Sequence, residues 1–274
     1  MTDSPIAFVG GGNMARSLIG GLVARGTPGA SIRVAEPVDT LRDALARDFG
    51  AAVFADGADA VAGGARTWVL AVKPQVMRAV CEALAPQAQA TRPLVVSIAA
   101  GITAAQLERW LGGGVAVVRC MPNTPALLGV GVTGLFANAN VDAAGRNAAQ
   151  ALLASAGETV WIGDEALMDA VTAVSGSGPA YVFLLAEAMQ SAALAEGLPP
   201  DAARALVLQT VLGAARMLTE GDVDAAELRR RVTSPNGTTQ AAVEAFEAGG
   251  FRELVARAIR AATLRGRELS AAND

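Results

Sequence analysis

The first 160 residues alternate between short apolar runs and stretches with a helical period. The apolar runs are continuous, with no polar alternation, which is typical of parallel strands buried on both faces. They are Ile6–Gly10, Ser31–Glu36, Arg66–Val72, Pro93–Ala99, Val115–Met121, Val132–Ala137 and Thr159–Ile162. The helical stretches are Met14–Arg25, Thr40–Asp48, Gln75–Leu84 and Thr103–Trp110. This alternation predicts a doubly wound, mainly parallel α/β sheet with right-handed crossovers.

The pattern changes after Trp161. From there to the end the sequence has no strand pattern, only helical segments separated by SGSGP, GLPP, EGD, SPNG and EAGG. We therefore predict an α/β domain over residues 1–162 and an all-helical domain over residues 163–274. Because a helical domain this apolar exceeds what its own core can bury, we expect it to pair with a second subunit.

Composition narrows the class of protein. The hydrophobic content is 52% but aromatic residues are only 4%, which favours closely packed helices over a β-sandwich. A net charge of −4 argues against nucleic acid or an anionic membrane as a partner. The chain has no His, and its two cysteines show no pairing pattern, so we expect no metal site and buried free thiols. The N-terminus lacks a secretory pattern and no apolar run reaches roughly 18 residues, so we expect a cytoplasmic protein.

A glycine motif follows the first predicted strand. The pattern Gly10-x-Gly12-x-x-Ala15 ends that strand and opens a helix, as in dinucleotide-binding folds. In such motifs the first Gly makes a tight turn, the second admits the pyrophosphate, and the third small residue keeps the helix close to the sheet. The helix N-terminus then offers N–H groups to the phosphates. The alternative is a flexible turn without a ligand.

Glu36 ends the second predicted strand, where an acid can bind the adenosine ribose and repel a 2′-phosphate. This favours NADH over NADPH. Arg33 and Arg42 are close enough in sequence to reverse that preference. The alternative for Glu36 is a surface residue before Pro37.

Two further segments lie at predicted strand ends, where ligands bind in open α/β sheets. Lys73, the only lysine, precedes Pro74; it lies either against the cofactor or simply at a helix start. Asn123 and Thr124 lie between two prolines, which fix an extended loop. They either orient a nicotinamide or substrate, or form a structural turn.

The stretch VTSPNGTTQAAVE, Val232–Glu244, is rich in hydroxyl groups. It predicts a turn over residues 235–237 and a helix beginning near Thr238. Free N–H groups and the helix dipole at such a point favour a carboxylate. The alternative is an ordinary helix start capped by Ser234 or Thr238.

Five segments, FVGGGNMA, LAVKPQ, RCMPNTPA, SGSGPAYVF and VTSPNGTTQAAVE, follow one another as in a known family. Over essentially its full length the chain resembles pyrroline-5-carboxylate reductases. The resemblance implies an N-terminal Rossmann domain, a C-terminal all-helical dimerisation domain and a homodimer, often arranged as a ring of dimers. It also implies reduction of the cyclic imine 1-pyrroline-5-carboxylate to L-proline, the last step of proline biosynthesis, with NADPH or NADH.

The resemblance also implies roles for residues. The pyrophosphate loop corresponds to Gly10, Gly12, Asn13 and Met14. The segment beside the nicotinamide ribose corresponds to Ala71, Val72, Lys73 and Pro74, and the turn after Pro93–Ala99 corresponds to Ala99, Ala100 and Gly101. The substrate loop corresponds to Ser234, Gly237, Thr238 and Thr239, with Asn236 in the same turn. Many relatives have an Asn near residues 56–58, but this chain reads ADGAD, which leaves the choice of cofactor open.

A site without His suits imine reduction, because the C=N nitrogen is basic enough to arrive protonated. The protein then has to position the substrate rather than supply a strong acid. We expect Thr239 to hydrogen-bond the reacting nitrogen, with Thr238 as the local alternative.

Three other functions share some of these sequence features. A β-hydroxyacid dehydrogenase shares the two-domain plan but uses a lysine after the first domain, and this chain has none after Trp161. A different imine reductase would share the chemistry. A non-catalytic nucleotide-binding assembly protein would keep the glycine motif without needing hydroxyl groups near a nicotinamide.

Overall fold

The computed structural model of the chain describes residues 4–272. Its first part is built on one eight-stranded sheet with the strand order β3-β2-β1-β4-β5-β6-β7-β8. The strands are β1 (Ile6–Val9), β2 (Ile32–Ala35), β3 (Ala52–Phe54), β4 (Thr67–Leu70), β5 (Leu94–Ser97), β6 (Ala116–Met121), β7 (Gly131–Ala137) and β8 (Gly157–Trp161). Neighbouring strands are parallel except for the antiparallel pair β6 and β7. The first six strands have the order of a Rossmann sheet.

The helices of the first part connect these strands. They are α1 (Asn13–Ala24), α2 (Asp39–Phe49), α3 (Gly57–Val61), α4 (Pro74–Thr91), α5 (Ala104–Trp110) and α6 (Ala143–Leu153). After the sheet follow α7 (Met168–Val171), α8 (Gly178–Ala195), α9 (Pro200–Glu220), α10 (Ala225–Arg231), α11 (Thr238–Ala248) and α12 (Phe251–Ala272). The described residues from 163 onward contain no strand. The predicted fold class, a Rossmann domain followed by helices, is therefore confirmed.

The sheet has an apolar core on each face. One core contains Phe8, Leu18, Ile19 and Leu135, and the other contains Trp68, Met77 and Leu107, all fully buried. Successive strand residues point to opposite faces, so a strand covered on both sides must be apolar throughout. This explains why the strands appear in the sequence as continuous apolar runs.

Several elements differ from the sequence prediction. Strand β3 and helix α3 were missed because three and five residues are too short to display a period. Helix α4 continues past Pro86 to Thr91, although proline removes one N–H from a helix interior. Helix α6 was also missed, although its buried residues Ala149, Leu152 and Leu153 have helical spacing.

The chain separates into two compact units. One contains the residues up to Ser177 together with those from Ala261 onward, and the other spans Gly178–Arg260. The first unit ends at Ser177, directly after one turn of π-helix, Thr172–Gly176, which lies between α7 and α8. The SGSGP segment thus separates two helical segments, and α8 begins within it at Gly178. The domain division between residues 162 and 163 stays a prediction.

Both cysteines are free and buried. Burial raises the pKa of the Cys81 thiol to about 12 and raises that of Cys120 further still. A thiol with so high a pKa is rarely a thiolate at neutral pH, so neither is a reactive nucleophile. Within residues 4–272, no helix has both the length and the apolar character needed to cross a membrane.

Candidate functional site

The strand ends that carry the predicted cofactor residues lie along one edge of the sheet. Val9, the last residue of β1, is in register with Ala35 of β2 and with Leu70 of β4, and Leu70 is in register with Ser97 of β5. The four loops that follow these strands therefore leave the sheet side by side at its carboxyl edge. This is where open α/β sheets bind their ligands.

Gly10 is a position that only glycine fits. Its φ is +103°, and a Cβ added there would lie 2.7 Å from the carbonyl oxygen of Ala71 and 3.1 Å from the backbone nitrogen of Val72. Its own N–H donates to the Ala35 carbonyl at 2.8 Å. The turn is thus packed directly against the segment that follows β4, which accounts for the first glycine of the motif.

Gly12 differs from Gly10 because its surroundings are open. A Cβ added there would meet no atom within 4 Å, and its φ of −67° suits any residue. It is the N-cap of α1, and no side chain caps that helix end, whose first residues are Asn13 and Met14. The space above Gly12 and the uncapped N–H groups fit the pyrophosphate of a dinucleotide.

Glu36 is buried, with 7% of its surface exposed, and is held by the glycine loop. One carboxylate oxygen accepts from the Gly11 N–H at 2.9 Å, and the other accepts from the Val38 N–H at 3.1 Å. The interpretation of Glu36 as a simple surface residue is therefore wrong. Because a carboxylate can accept about four hydrogen bonds, capacity for a ribose hydroxyl remains.

The two arginines near Glu36 already form hydrogen bonds within the protein. Arg33 donates to the Ala60 carbonyl at 2.7 Å and to the Asp59 carbonyl at 2.8 Å, and its guanidinium lies 4.3 Å from the centre of the Phe54 ring. Arg42 donates to the Glu36 carbonyl at 2.7 Å and pairs with Asp39. Arg33 is therefore committed to the end of α3, whereas Arg42 stays beside the position expected for the ribose.

The segment Ala71–Pro74 continues from β4 along this edge. Its backbone is joined to β1 through the Ala71 N–H, which donates to the Val9 carbonyl at 2.8 Å. Lys73 is exposed and is the N-cap of α4, with Pro74 as the first helical residue. Both alternatives for Lys73 agree with this placement, because it starts a helix at the carboxyl edge.

The turn Ala99–Gly101 follows β5. Ala99 and Gly101 are buried while Ala100 is exposed, and Gly101 has a φ of +70°. The turn ends at Thr103, which caps α5 with its hydroxyl. The structure therefore places this segment at the carboxyl edge of the sheet.

The side chain of Asn123 joins two backbone segments by hydrogen bonds. Its side-chain amide donates to the Ser175 carbonyl at 3.2 Å, and its side-chain oxygen accepts from the Val132 N–H at 2.9 Å. The side chain is 9% exposed. Of the two alternatives for this loop, the geometry favours the structural turn, since the amide joins β7 to the turn before α8.

A buried ion cluster at the end of β6 was not predicted. Arg119 is 4% exposed, and its guanidinium reaches Glu165 at 3.2 Å and Asp169 at 3.4 Å. A signal was present in the sequence, because an arginine inside the run VAVVRCM must be buried if the strand is covered on both faces.

The stretch Val232–Glu244 forms a turn and then a helix, as predicted. The Gly237 N–H donates to the Ser234 carbonyl at 3.1 Å, with Pro235 and Asn236 between them. Asn236 adopts a φ of +58°, a conformation that Asn tolerates better than most residues. The Asn236 N–H donates to the side chain of Gln240 at 2.8 Å.

The interpretation of this stretch as a helix capped by Ser234 or Thr238 is wrong. The N-cap of α11 is Gly237, no side chain caps it, and Thr238 is already the first helical residue. Ser234, Thr238 and Thr239 are exposed. A helix N-terminus with uncapped N–H groups and two adjacent hydroxyls can receive a carboxylate.

The arginine run before this turn, Arg229–Arg231, lies in the last turn of α10. Arg230 and Arg231 both pair with Glu227 at 2.7 Å, and Arg229 lies 3.5 Å from Glu247. The hydrogen bonds from Arg230 and Arg231 lower the pKa of the Glu227 carboxyl. These charges are therefore paired within the helical unit. Among the described residues, no cluster of Cys, Asp and Glu could hold a metal ion.

The Rossmann sheet, the glycine loop and the carboxyl-edge turns define a dinucleotide-dependent oxidoreductase. Comparisons with known proteins specify the family. The profile described as pyrroline-5-carboxylate reductase dimerisation matches residues 165–269, and one described as NADP oxidoreductase, coenzyme F420-dependent, matches residues 5–101. The chain is 55% identical to the pyrroline-5-carboxylate reductase of Pseudomonas aeruginosa and 43% identical to that of Haemophilus influenzae. Each alignment covers 98% of both chains.

Solved structures agree. A pyrroline-5-carboxylate reductase from Coxiella burnetii has a TM-score of 0.94 and 42% identity, covering 98% of this chain and 99% of that one. The enzyme from Plasmodium falciparum, solved with NADP bound, has a TM-score of 0.85 and 27% identity over the same shares. The chain belongs to the pyrroline-5-carboxylate reductase family.

Proposed function

We propose that the protein reduces the C=N bond of 1-pyrroline-5-carboxylate to give L-proline, with NADH or NADPH as the reductant. The observation that carries this proposal is the uncapped start of α11, with Thr238 and Thr239 in its first turn. This local geometry suits a small carboxylate. The chain also belongs to a family whose members are named for this reaction.

The cofactor is held by the loop around Gly10 and Gly12, whose shape matches a pyrophosphate. Ala71–Pro74, Ala99 and Gly101 lie along the same sheet edge and contact the nicotinamide half. When bound, the dinucleotide supplies a hydride. The contribution of the protein is to hold the reacting groups in place and to exclude water, which can lower a barrier by several kcal/mol.

Glu36 sets the cofactor preference. Its buried carboxylate is oriented by two backbone N–H groups toward the position of the adenosine ribose. A fixed negative charge there favours the 2′-hydroxyl of NADH over the 2′-phosphate of NADPH. Arg42 opposes this effect only in part, because it is paired with Asp39.

The substrate carboxylate binds the backbone of residues 237–239, with Ser234 and Asn236 shaping the turn. Thr239 is the catalytic residue, and its hydroxyl hydrogen-bonds the ring nitrogen. The imine arrives protonated, which explains how a chain without His performs the reaction. A dehydrogenase that needs a lysine after the first domain is excluded, since the only lysine is Lys73.

We also propose that the protein works as a homodimer, or a ring of dimers, in the cytoplasm. Support for the dimer comes from the large apolar side chains that α8 and α9 leave exposed, such as Phe183, Leu184 and Leu212. Support for a reducing compartment comes from the two buried free thiols.

The test is a kinetic comparison of the wild type with Thr239→Ala and Thr238→Ala, following loss of reduced cofactor with 1-pyrroline-5-carboxylate. Loss of a hydrogen bond to the reacting nitrogen should lower kcat of Thr239→Ala by about 10- to 100-fold. The cofactor dissociation constant should stay unchanged. Thr238→Ala is the matched control and should lose much less. No turnover by the wild type with either cofactor would overturn the function, and equal losses in the two variants would overturn the role of Thr239.

A further inference from the structure

A network of hydrogen bonds surrounds the segment that leads from the Ala99–Gly101 turn into α5. At its near end the Thr103 N–H donates to the Gln106 side chain at 2.8 Å, and the Gln106 N–H donates to the Thr103 hydroxyl at 3.1 Å. This reciprocal cap satisfies the start of the helix. The side-chain amide of Gln106 then extends to the Ser270 carbonyl at 3.3 Å, in the last turns of α12.

From Ser270 the network returns to the same segment by a second route. The Ser270 hydroxyl contacts the Asp169 carboxylate at 3.5 Å, and Asp169 is paired with Arg119. Arg119 also pairs with Glu165, whose carboxylate accepts from the Ala104 N–H at 2.7 Å. We call this closed set the Arg119 network; its members are Thr103, Ala104, Gln106, Arg119, Glu165, Asp169 and Ser270.

The network encloses the positive-φ end of the turn. A Cβ on Gly101 would lie 3.5 Å from Leu269 and 3.7 Å from the Ser270 nitrogen, so the end of α12 lies against Gly101. Gly266, one turn earlier, allows α12 to approach Asp169, since a Cβ there would lie 3.3 Å from that side chain. The turn is therefore in contact with the end of α12, and that helix is itself packed against Asp169.

The buried ion cluster around Arg119 is better suited to holding neighbouring groups in place than to stabilising the fold. Arg119 is 4% exposed, and burying an ion cluster costs desolvation that its own attraction often fails to offset. A guanidinium holds two carboxylates in a fixed planar geometry, whereas a lysine ammonium on its flexible stem does not fix their positions. The cluster therefore fixes Glu165, and through it the Ala104 N–H, at a defined place.

We propose that Arg119 is a positioning residue for dinucleotide binding. It acts through Glu165 on Ala104, and the network so formed fixes the Ala99–Gly101 turn against the cofactor. The inference rests on the proposed function, because it takes that turn as part of the cofactor site. Arg119 itself need not touch the cofactor.

The experiment compares wild type with Arg119→Lys, which keeps the charge but lacks the planar guanidinium that holds two carboxylates in a fixed geometry. The dissociation constant of NADH and that of NADPH are measured directly from the fluorescence of the reduced nicotinamide, together with the melting temperature and both Michaelis constants. Misplacement of a positioning group by ~1 Å can cost about 100-fold. For a partly retained network we expect the dissociation constant to rise about tenfold. The Michaelis constant for 1-pyrroline-5-carboxylate should change by less than about twofold.

A second variant guards against a folding defect in the first. Ser270→Ala removes only the hydroxyl link to Asp169, and we expect it to weaken cofactor binding about threefold at an unchanged melting temperature. Thr91→Ala is the control, since its hydroxyl bonds the Gln87 carbonyl at the far end of α4. Unchanged cofactor binding in a folded Arg119→Lys, or in Ser270→Ala if Arg119→Lys does not fold, would overturn the proposal. The proposed function fails separately, if the wild type binds no dinucleotide or turns over no substrate.

Discussion

At the scale of single residues, Gly10 and Gly12 belong to one loop but are required for different reasons. Gly10 has a positive φ and leaves no room for a Cβ beside Ala71, so it is needed for folding. Gly12 has ordinary backbone angles and open space above it, so only the proposed ligand gives a reason for a glycine there. The sequence motif alone does not separate these two roles.

Substitution of each glycine by alanine separates them. Gly10→Ala should lower the free energy of unfolding by about 2 kcal/mol or more, because of both strain and the clash with Ala71. Gly12→Ala should leave the unfolding free energy unchanged within about 0.5 kcal/mol and yet weaken cofactor binding. Denaturant unfolding and dinucleotide titration measure the two effects. Normal cofactor binding by Gly12→Ala would contradict the placement of the pyrophosphate.

Glu36 allows a residue-scale test of cofactor choice. Glu36→Gln removes the charge, while its amide oxygen can still accept from the Gly11 N–H. We expect the ratio of kcat/KM for NADPH to that for NADH to rise by about tenfold, since a repulsive charge beside the 2′-phosphate is lost. Arg42→Gln is the opposing control and should lower the same ratio. A ratio unmoved by Glu36→Gln would show that other residues set the preference.

The positions of the loop residues at the sheet edge could be predicted from the sequence, whereas their hydrogen bonds could not. Gly10, Gly12 and Glu36 follow from motif spacing, because parallel strand ends meet at one edge. The bonds of Glu36 to Gly11 and Val38 depend on how two loops pack, which no local pattern encodes. Arg119 was detectable as a charge within an apolar strand, but its partners lie 46 and 50 residues further along the chain.

At the scale of elements, the strands that lie in apolar runs were predicted, whereas β3, α3 and α6 were missed. Four-residue strands such as β1 lie in apolar runs long enough to recognise. The three residues of β3 are only partly buried and give no such contrast. The start of α11 was placed correctly, yet its cap was not, because Gly237 takes the N-cap position ahead of the hydroxyl residues.

The loop between β6 and β7 provides the element-scale prediction. Asn123 joins β7 to the turn of π-helix before α8 through the Val132 N–H and the Ser175 carbonyl. Asn123→Ala leaves both partly buried partners without these bonds and should lower the free energy of unfolding by about 2 kcal/mol. The cofactor dissociation constant of the folded variant should stay near that of the wild type. A stable variant with weak cofactor binding would instead restore Asn123 as a cofactor ligand.

At the scale of the whole molecule, the helical unit exposes many large apolar side chains. Phe183 is 67% exposed and Leu212 is 54% exposed, on α8 and α9. Such surfaces commonly mark subunit interfaces. This exposed surface supports the proposed dimer, which the apolar helical sequence also suggests.

Disruption of this surface should change the mass in solution. Phe183→Glu combined with Leu212→Glu should convert the protein to a 27.6 kDa monomer in sedimentation velocity, while the wild type sediments as a dimer or larger. Leu41→Glu, at an exposed apolar position of α2, is the matched control and should leave the mass unchanged. A monomeric wild type at micromolar concentration would contradict the proposed assembly.

The proposed reaction transfers a hydride from the reduced cofactor to the C=N carbon of 1-pyrroline-5-carboxylate. The most direct measurement uses a reduced cofactor carrying deuterium at the transferable position of its nicotinamide C4, followed by mass spectrometry of the product. We expect L-proline with one deuterium on Cδ, formed in equal amount to the cofactor oxidised. Cofactor oxidation without labelled proline, or no oxidation with either dinucleotide, would contradict the proposed reaction.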